Sequence, residues 1–260
     1  MDAVPHMKND RAGILIVIPA YHESRRLPSL FADIEAHLKK PGVLTGVDFL
    51  VVDDGSGAEE VAKLRSLIAA HGLDKAVSLL PLSVNQGKGA AVKAGFTHGL
   101  GAGYDHLGFI DADGSVSAAA LEEVVEYLQK RSHIPLAAVA ASRVRMLGRN
   151  IARSWPRHYV SRVFATFVSF CFGVQMHDSQ CGLKIFKSDV LKKYLDAPTD
   201  HRWVWDTQLV MAMLHGGETV HEVPIDWREM GDSKMLFLHD PFVMAAHLIS
   251  FRRRLCGPKR

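Results

Sequence analysis

"FIDADGSV", residues 109–116, carries an apolar run into two carboxylates two positions apart. LGFIDAD (107–113) reads as a strand, so Asp111 and Asp113 face one side while Ala112 turns away, because side chains alternate along a strand. Two like charges held that close favour a shared cation. A hard divalent ion, Mg²⁺ or Mn²⁺, bound by one or two carboxylates and completed by phosphate oxygens and water, removes the repulsion. An Asp-rich turn at a strand end has the same sequence in isolation, so the neighbouring strand ends decide between the two.

Four more β-rich runs share the rhythm: GILIVIP (13–19), DFLVVDD (48–54), AVSLLPL (76–82) and LAAVAAS (136–142). Helical spacing fills the gaps, first with Leu27, Leu30, Phe31, Ile34 and Leu38, then with Val61, Leu64 and Ile68 until Gly72 ends the pattern. Ser117 reads as the N-cap of a helix carrying Leu121, Val124, Val125 and Leu128. Such alternation predicts an α/β fold with a mostly parallel sheet. Ligands of open α/β sheets bind beyond the carboxyl ends of the strands. Here those ends are PAYHES (19–24), VDDGSG (52–57), NQGKGAA (85–91) and DADGS (111–115), all polar, Gly-rich or acidic. Asp53 and Asp54 suit either a base or ribose contact or a turn. Lys88, between Gly87 and Gly89, suits either a phosphate or solvent. A dinucleotide-dependent dehydrogenase is set aside, since the first strand runs into PAYHES and not into G-x-G-x-x-G.

After residue 142 the strand rhythm fades. LKIFK (183–187) reads as a strand, followed by a Ser188-capped helix, a helix over 203–214, a strand near 219–227 and a last helix from residue 240. With no repeat, low-complexity tract or linker, one domain is predicted over 13–238, between a flexible segment 1–12 and a basic amphipathic helix and tail over 239–260.

The 260 residues are 48% hydrophobic and 23% charged with a net charge of +3, enough for a large core. Charge is unevenly spread. No Asp or Glu occurs from Tyr127 to His177, whereas Arg143, Arg145, Arg149, Arg153, Arg157 and Arg162 all do, which points to an anionic partner. Nucleic acid is not expected, because no helix-turn-helix or RNP pattern is present and acidic strand ends would repel a phosphate backbone. VSRVFATFVSFCFGV (160–174) has a wide apolar arc that suits either core packing or an interfacial helix. FVMAAHLISFRRR (242–254) again joins an apolar helix to clustered cations, each worth about 1 kcal/mol near an anionic leaflet. Peripheral attachment to an anionic membrane surface is therefore expected. Three cysteines without a CxxC pair suggest neither a disulfide framework nor zinc. The start lacks a signal-peptide core, and the apolar run Val163 to Met176 falls short of the ~18 residues of a span. A reducing cytoplasm is the expected compartment; oligomeric state is not legible.

The ordered set PAYHE, VVDDGS, NQGKGAAVKAGF, DADGS, SR (142–143), DSQCGLKIF (178–186), WVWDTQL (203–209) and EVPIDW followed by GDSK (231–234) resembles the family-two glycosyltransferases of GT-A fold. Within that family it is most similar to polyprenyl-phosphate sugar transferases, the dolichyl-phosphate glucosyl subgroup above all. The resemblance runs from Gly13 to Lys234. It implies that Pro19, Ala20, Tyr21 and Glu23 with Asp53 and Asp54 hold the nucleoside, that Lys88 lies near the diphosphate, and that Asp111, Ala112 and Asp113 meet the nucleotide sugar, the two aspartates holding the metal. It also implies Arg143 facing donor or acceptor phosphate, Arg228 and Lys234 on a loop closing over the diphosphate, and Arg162, Gln180 and Lys184 on the acceptor side. The implied reaction inverts the anomeric carbon of a nucleotide sugar, UDP-glucose being favoured, onto a polyprenyl (dolichyl or undecaprenyl) phosphate. A phosphate with second pKa near 6 is already mostly dianionic and needs no general base, whereas a soluble hydroxyl acceptor does; Asp178 and Asp206 are the candidates. A non-catalytic nucleotide-sugar-binding scaffold is the third reading. Trp203 and Trp205 suit core or pocket wall. His22 stands where the family commonly has Asn, and Ser115 where mannosyl-transferring relatives often have Gln, a departure that leans away from mannose.

Overall fold

The computed structural model describes residues 13–230 and 240–257. In chain order the elements are β1 (Ile14–Ala20), α1 (Leu27–Leu38), β2 (Val47–Asp53), α2 (Ala58–Ala70), β3 (Val77–Pro81), α3 (Lys88–Ala102), β4 (His106–Ile110), α4 (Ala118–Lys130) and β5 (Leu136–Ser142). The second half adds β6 (Ile151–Ala152), α5 (Trp155–Phe172), β7 (Leu183–Lys187), α6 (Ser188–Tyr194), α7 (Trp205–His215), β8 (Thr219–Pro224), β9 (Trp227–Arg228) and α8 (Asp240–Cys256).

Seven strands form one sheet in the order β3-β2-β1-β4-β7-β5-β8, and β6 pairs with β9 apart from it. Only β7 runs against its neighbours, pairing antiparallel with β4 and β5. The chain builds outward from β1 through β2 to β3, then crosses to the other side of β1 to lay down β4. That reversal opens a crevice between the carboxyl ends of β1 and β4, the place where an open α/β sheet receives its ligand. Parallel register from Ile14↔Val47 to Ala20↔Asp53 brings the ends of β1 and β2 level.

Alternate strand residues feed two cores. Ile16, Ile18, Phe49 and Val51 pack under α1, α2 and α4, while Val17, Leu50, Val52 and Phe109 pack under α3, α5, α7 and α8. Helix α1 presents Leu27, Leu30, Phe31 and Ile34, all essentially without solvent contact. At ~1.5–3 kcal/mol per side chain, their burial contributes up to about 6–12 kcal/mol. Ser117 does cap α4, its Oγ accepting from Ala120 N at 3.2 Å. Helix α3 is absent from the hydrophobic periodicity because glycine carries its packing: a Cβ at Gly95 would stand 2.6 Å from Val17 Cγ2.

Two expectations change. Strand β4 stops at Ile110, so Asp111 and Asp113 lie in the following turn and strand alternation is not what brings them together. The turn is closed by Ser115 N–H donating to Asp113 Oδ1 at 2.9 Å, with Gly114 at φ +73°. Ser188 is the first residue of α6, the cap position falling on Lys187, and its buried Oγ has no hydrogen-bond partner among the described residues. Helix α8 turns Met244, Leu248 and Phe251 into the core and leaves Phe242, Val243 and Ile249 exposed, together with the Arg252–Arg254 cluster. Residues 1–12, Lys234 with its GDSK segment, and 258–260 lie outside the described residues.

Candidate active site

A cavity of about 420 Å³ occupies the crevice between the ends of β1 and β4. Pro19, Ala20, Tyr21 and Glu23 line it from β1, Asp111, Ala112, Asp113 and Ser115 from β4, and Asn85, Gly87 and Lys88 from the start of α3. Arg143, Asp178, Gln180 and Asp206 close the far side. Thus four strand ends and the DSQCG segment meet in one space, although sequence places them up to 187 residues apart, from Pro19 to Asp206.

The β1 turn is built by His22, the one described residue other than glycine with positive φ, at +52°. Asn and His are among the side chains that tolerate that conformation, which accounts for either residue at this position. His22 N–H donates to Ser56 Oγ at 2.9 Å, joining the β1 and β2 ends. Glu23 is buried and accepts from Arg26 Nε at 2.6 Å, with a second contact from Arg26 Nη2 to Oε1. Asp54 is buried as well, and its carboxylate takes Gln86 N–H at 2.9 Å, Gly87 N–H at 2.7 Å and Asn85 Nδ2 at 2.9 Å. Asp54 therefore shapes the loop ahead of α3. Asp53 does not line the cavity: it is wholly buried, with Oδ2 accepting from Ser56 N–H at 3.0 Å and Oδ1 unpartnered among the described residues.

Lys88 opens α3 after Gly87, whose φ of +105° and proximity to His201 O leave no place for a Cβ. Its Nζ lies 2.6 Å from Asp111 Oδ1 and 5.3 Å from the centre of the Phe109 ring. Burial alone would lower the Lys88 pKa, but Asp111, Asp206 and Asp113 together raise it, so the ammonium stays charged. Asp111 is held from behind. Its N–H donates to Gly182 O at 2.9 Å, and a Cβ on Gly182 would overlap the carboxylate.

Asp111 and Asp113 offer hard carboxylate oxygens on one wall, and Asp111 already attracts a cation in the form of Lys88. No trio of His, Cys, Asp or Glu among the described residues makes a metal shell by itself. That donor set fits a divalent ion of the Mg²⁺ type, which takes one or two carboxylates and draws its other ligands from phosphate and water.

Asp178 is the most firmly engaged carboxylate. Arg143 donates to it three times, from N–H and Nε to Oδ2 at 2.9 and 2.6 Å and from Nη2 to Oδ1 at 2.8 Å. Burial would push the Asp178 pKa up, but Arg143 prevails and brings it down to about 2. Asp178 is thereby a poor proton acceptor at neutral pH. Asp206 is different: Oδ2 accepts from Lys184 Nζ at 2.5 Å, and the residue lines the cavity. Lys184 has no solvent contact, and its other bond goes to Cys181 O at 2.8 Å, so it holds Asp206 and does not reach the cavity. Burial likewise pushes the Cys181 thiol up to about 12.

Two more expected residues stand off the cavity wall. Arg162 is exposed on α5 with Nη1 donating to His177 O at 3.2 Å, and Arg228 is exposed on β9 with its N–H donating to Ser115 O at 3.3 Å. Trp205 is core and Trp203 is wall. Sequence reasoning passed over Arg26, Asn85, Arg153, Arg202 and Trp227, all of which line the cavity. Arg153 carried a signal as part of the acid-free arginine run, and Asn85 and Trp227 lie within the NQGKGAA and EVPIDW motifs, whereas Arg26 and Arg202 carried none. One stretch of the wall is apolar: Val160, Phe164 and Ala165 of α5 meet Pro241 and Met244 of α8.

Among known proteins, the chain is 26% identical over 250 residues to the dolichyl-phosphate beta-glucosyltransferase of Dictyostelium discoideum, covering 94% of this chain and 75% of that one. It is 28% identical to the Saccharomyces cerevisiae protein of the same name, over 95% and 76% of the two chains. A polyprenol monophosphomannose synthase of Mycolicibacterium smegmatis is 31% identical, over 85% and 80%. Among solved structures, glucosyl-3-phosphoglycerate synthase of Mycobacterium tuberculosis, in complex with Mn²⁺, UDP and phosphoglyceric acid, superposes with a TM-score of 0.66 over 96% of this chain and 81% of that one. At 15% identity that likeness speaks for the GT-A fold alone. Residues 15–195 match the family model described as glycosyl transferase family 2, a span from β1 through the end of α6, and with it this chain belongs to that family and is a glycosyltransferase of GT-A fold.

Proposed function

We propose that this glycosyltransferase moves a sugar, glucose from UDP-glucose in the favoured case, onto a polyprenyl phosphate with inversion at the anomeric carbon. One observation carries the reading: the cavity is continuous from the carboxylates and Lys88 at the β1 and β4 ends to an apolar wall of Val160, Phe164, Ala165, Pro241 and Met244. A charged donor and a phosphate with a hydrocarbon tail can meet there. The relatives named for dolichyl-phosphate glucosyl transfer and polyprenol-phosphate mannosyl transfer support the same acceptor class.

In this reading an acceptor phosphate oxygen bonds to the anomeric carbon as the bond to the nucleoside diphosphate breaks, its electron pair leaving with the diphosphate. The loop shaped by Asp54 and the β1 turn of Tyr21 and Glu23 seats the nucleoside, and Lys88 meets the diphosphate. Asp111 and Asp113 would hold Mg²⁺ or Mn²⁺, which when bound supplies Lewis-acid stabilisation of the departing diphosphate. Arg143, fixed by Asp178, presents a cation that cannot be deprotonated to a phosphate on the far side. Fixed charges of this kind act strongly because they need no reorganisation as the reaction proceeds, each worth about 10²- to 10³-fold in rate. The phosphate acceptor needs no base, in keeping with Asp178 being held at about 2. Gln180, whose Nε2 donates to Thr207 Oγ1 at 2.5 Å, borders the acceptor.

Attachment to the membrane surface runs through α5. Trp155, Tyr159, Val163 and Phe170 are 63%, 62%, 70% and 87% exposed. At 100° per residue they share an arc of roughly 80° opposite the face that lines the cavity. Arg145 stacks 4.8 Å from the Trp155 ring and Arg162 is exposed on the same helix, so apolar and cationic groups lie together as an anionic bilayer surface requires. No helix among the described residues is long and apolar enough to cross a membrane. The free thiols of Cys171, Cys181 and Cys256 support the cytoplasmic face, and residues 13–238 as the catalytic domain with 239–260 appended complete the reading. The test is a panel of radiolabelled nucleotide sugars supplied with polyprenyl phosphate in vesicles, with and without chelator. Label entering the organic phase from UDP-glucose, and only without chelator, is expected; no transfer from any donor overturns the reading.

A further inference from the structure

The pairing of Lys88 with Asp111 has a consequence beyond phosphate binding. We infer that the Lys88 ammonium and the divalent ion compete for the Asp111 carboxylate, so that nucleoside diphosphate must draw Lys88 away before the ion binds tightly. This deepens the proposed function and rests on its metal reading.

Three features make the exchange one-sided. Asp111 is anchored at its backbone, its N–H bonded to Gly182 O, and its short side chain packs against Gly182. The Lys88 backbone is held as well, since Gly87 packs on His201 O and a Cβ on Gly89 would meet Trp205. The partly exposed Lys88 side chain, with four rotatable bonds to the two of Asp111, is the longer arm and the one that can swing away. At 2.6 Å from Oδ1 its ammonium already neutralises one carboxylate. A dication arriving at the same oxygen would repel that ammonium twice as strongly as a second single charge would. Without nucleotide, then, the ion must displace an internal cation that has no better partner. A diphosphate in the cavity supplies that partner, and metal and nucleotide bind cooperatively, each raising the affinity of the other by the same factor.

Lys88→Met and Lys88→Gln test this, with folding checked by circular dichroism. Mn²⁺ affinity is measured by electron paramagnetic resonance of free Mn²⁺, with MnCl₂ alone and in the presence of UDP or GDP. Wild type should bind Mn²⁺ weakly alone and much more tightly with the nucleotide. Both variants should bind Mn²⁺ alone at least tenfold more tightly than wild type, and the factor by which nucleotide improves Mn²⁺ binding should shrink at least tenfold. An unchanged factor in a folded variant overturns the exchange while leaving the metal reading intact, because it means that Lys88 contacts phosphate without vacating Asp111. Absence of Mn²⁺ binding to wild type even with either nucleotide overturns both.

Discussion

Two carboxylates that look equivalent in sequence, Asp178 and Asp206, are separated by their cations. Asp178 spends both oxygens on Arg143, whereas Asp206 gives Oδ2 to Lys184 and lines the cavity. Asp178→Asn should cost about 3–5 kcal/mol of stability in urea titration, because Arg143 is left buried without its counter-charge. The pH dependence follows in sign: a pKa brought down from 3.8 to about 2 gives stability that is present above pH 3.8 and lost as pH falls toward 2. Asp178→Asn should lack that acid limb, and a variant that keeps it would show the pairing to be unimportant. Gly182→Ala should displace the Asp111 carboxylate and lower kcat by about 10²-fold or more, comparable to removing a charge-stabilising group, while circular dichroism remains native. The aspartate pair itself was legible in sequence, but its supports were not. Glycine at 182 and lysine at 184 acquire meaning only once β7 sets them against the β4 turn.

At the scale of elements, strands with continuous apolar runs were plain from sequence, and LAAVAAS coincides with β5 to the residue. Helix α3 and the two-residue strands β6 and β9 were not. The short pair offers no periodicity, and α3 packs through Gly95 and Gly99 where a hydrophobic stripe would ordinarily stand. Its sign of response is therefore unusual. Gly95→Ala gains about 1 kcal/mol of helix propensity but meets both Val17 methyls at 2.6 and 2.7 Å, and overpacking of about 1–3 kcal/mol should prevail, lowering the thermal midpoint. Helix α5 settles an ambiguity left by its sequence, since the core and interfacial readings are both partly right: Phe164 and Val168 are buried while Trp155, Tyr159, Val163 and Phe170 are exposed. Replacing Trp155, Tyr159 and Val163 with serine should weaken co-sedimentation with anionic vesicles at least about tenfold with little change in thermal midpoint. Undiminished sedimentation would move the membrane contact elsewhere, with the Arg252–Arg254 cluster of α8 next in line.

For the molecule as a whole, fold class and cavity position followed from the alternation of β-rich and helical runs and from polar strand ends, which are local features of the chain. What distant segments do to one another was hidden: Lys184 and Arg228 look like cavity cations in sequence, yet one is sealed in the core and the other stands outside the wall. The cavity joins donor-side charge to an apolar wall, and that junction is the basis for a lipid phosphate as acceptor. The most direct test supplies labelled UDP-glucose with polyprenyl phosphate, with the corresponding polyprenol, or with soluble sugar and hydroxy-acid acceptors, in the presence of Mg²⁺ or Mn²⁺. Label should enter the organic phase with the lipid phosphate alone and disappear on adding a chelator; efficient labelling of the free alcohol or of a soluble acceptor, with none on the phosphate, would contradict it.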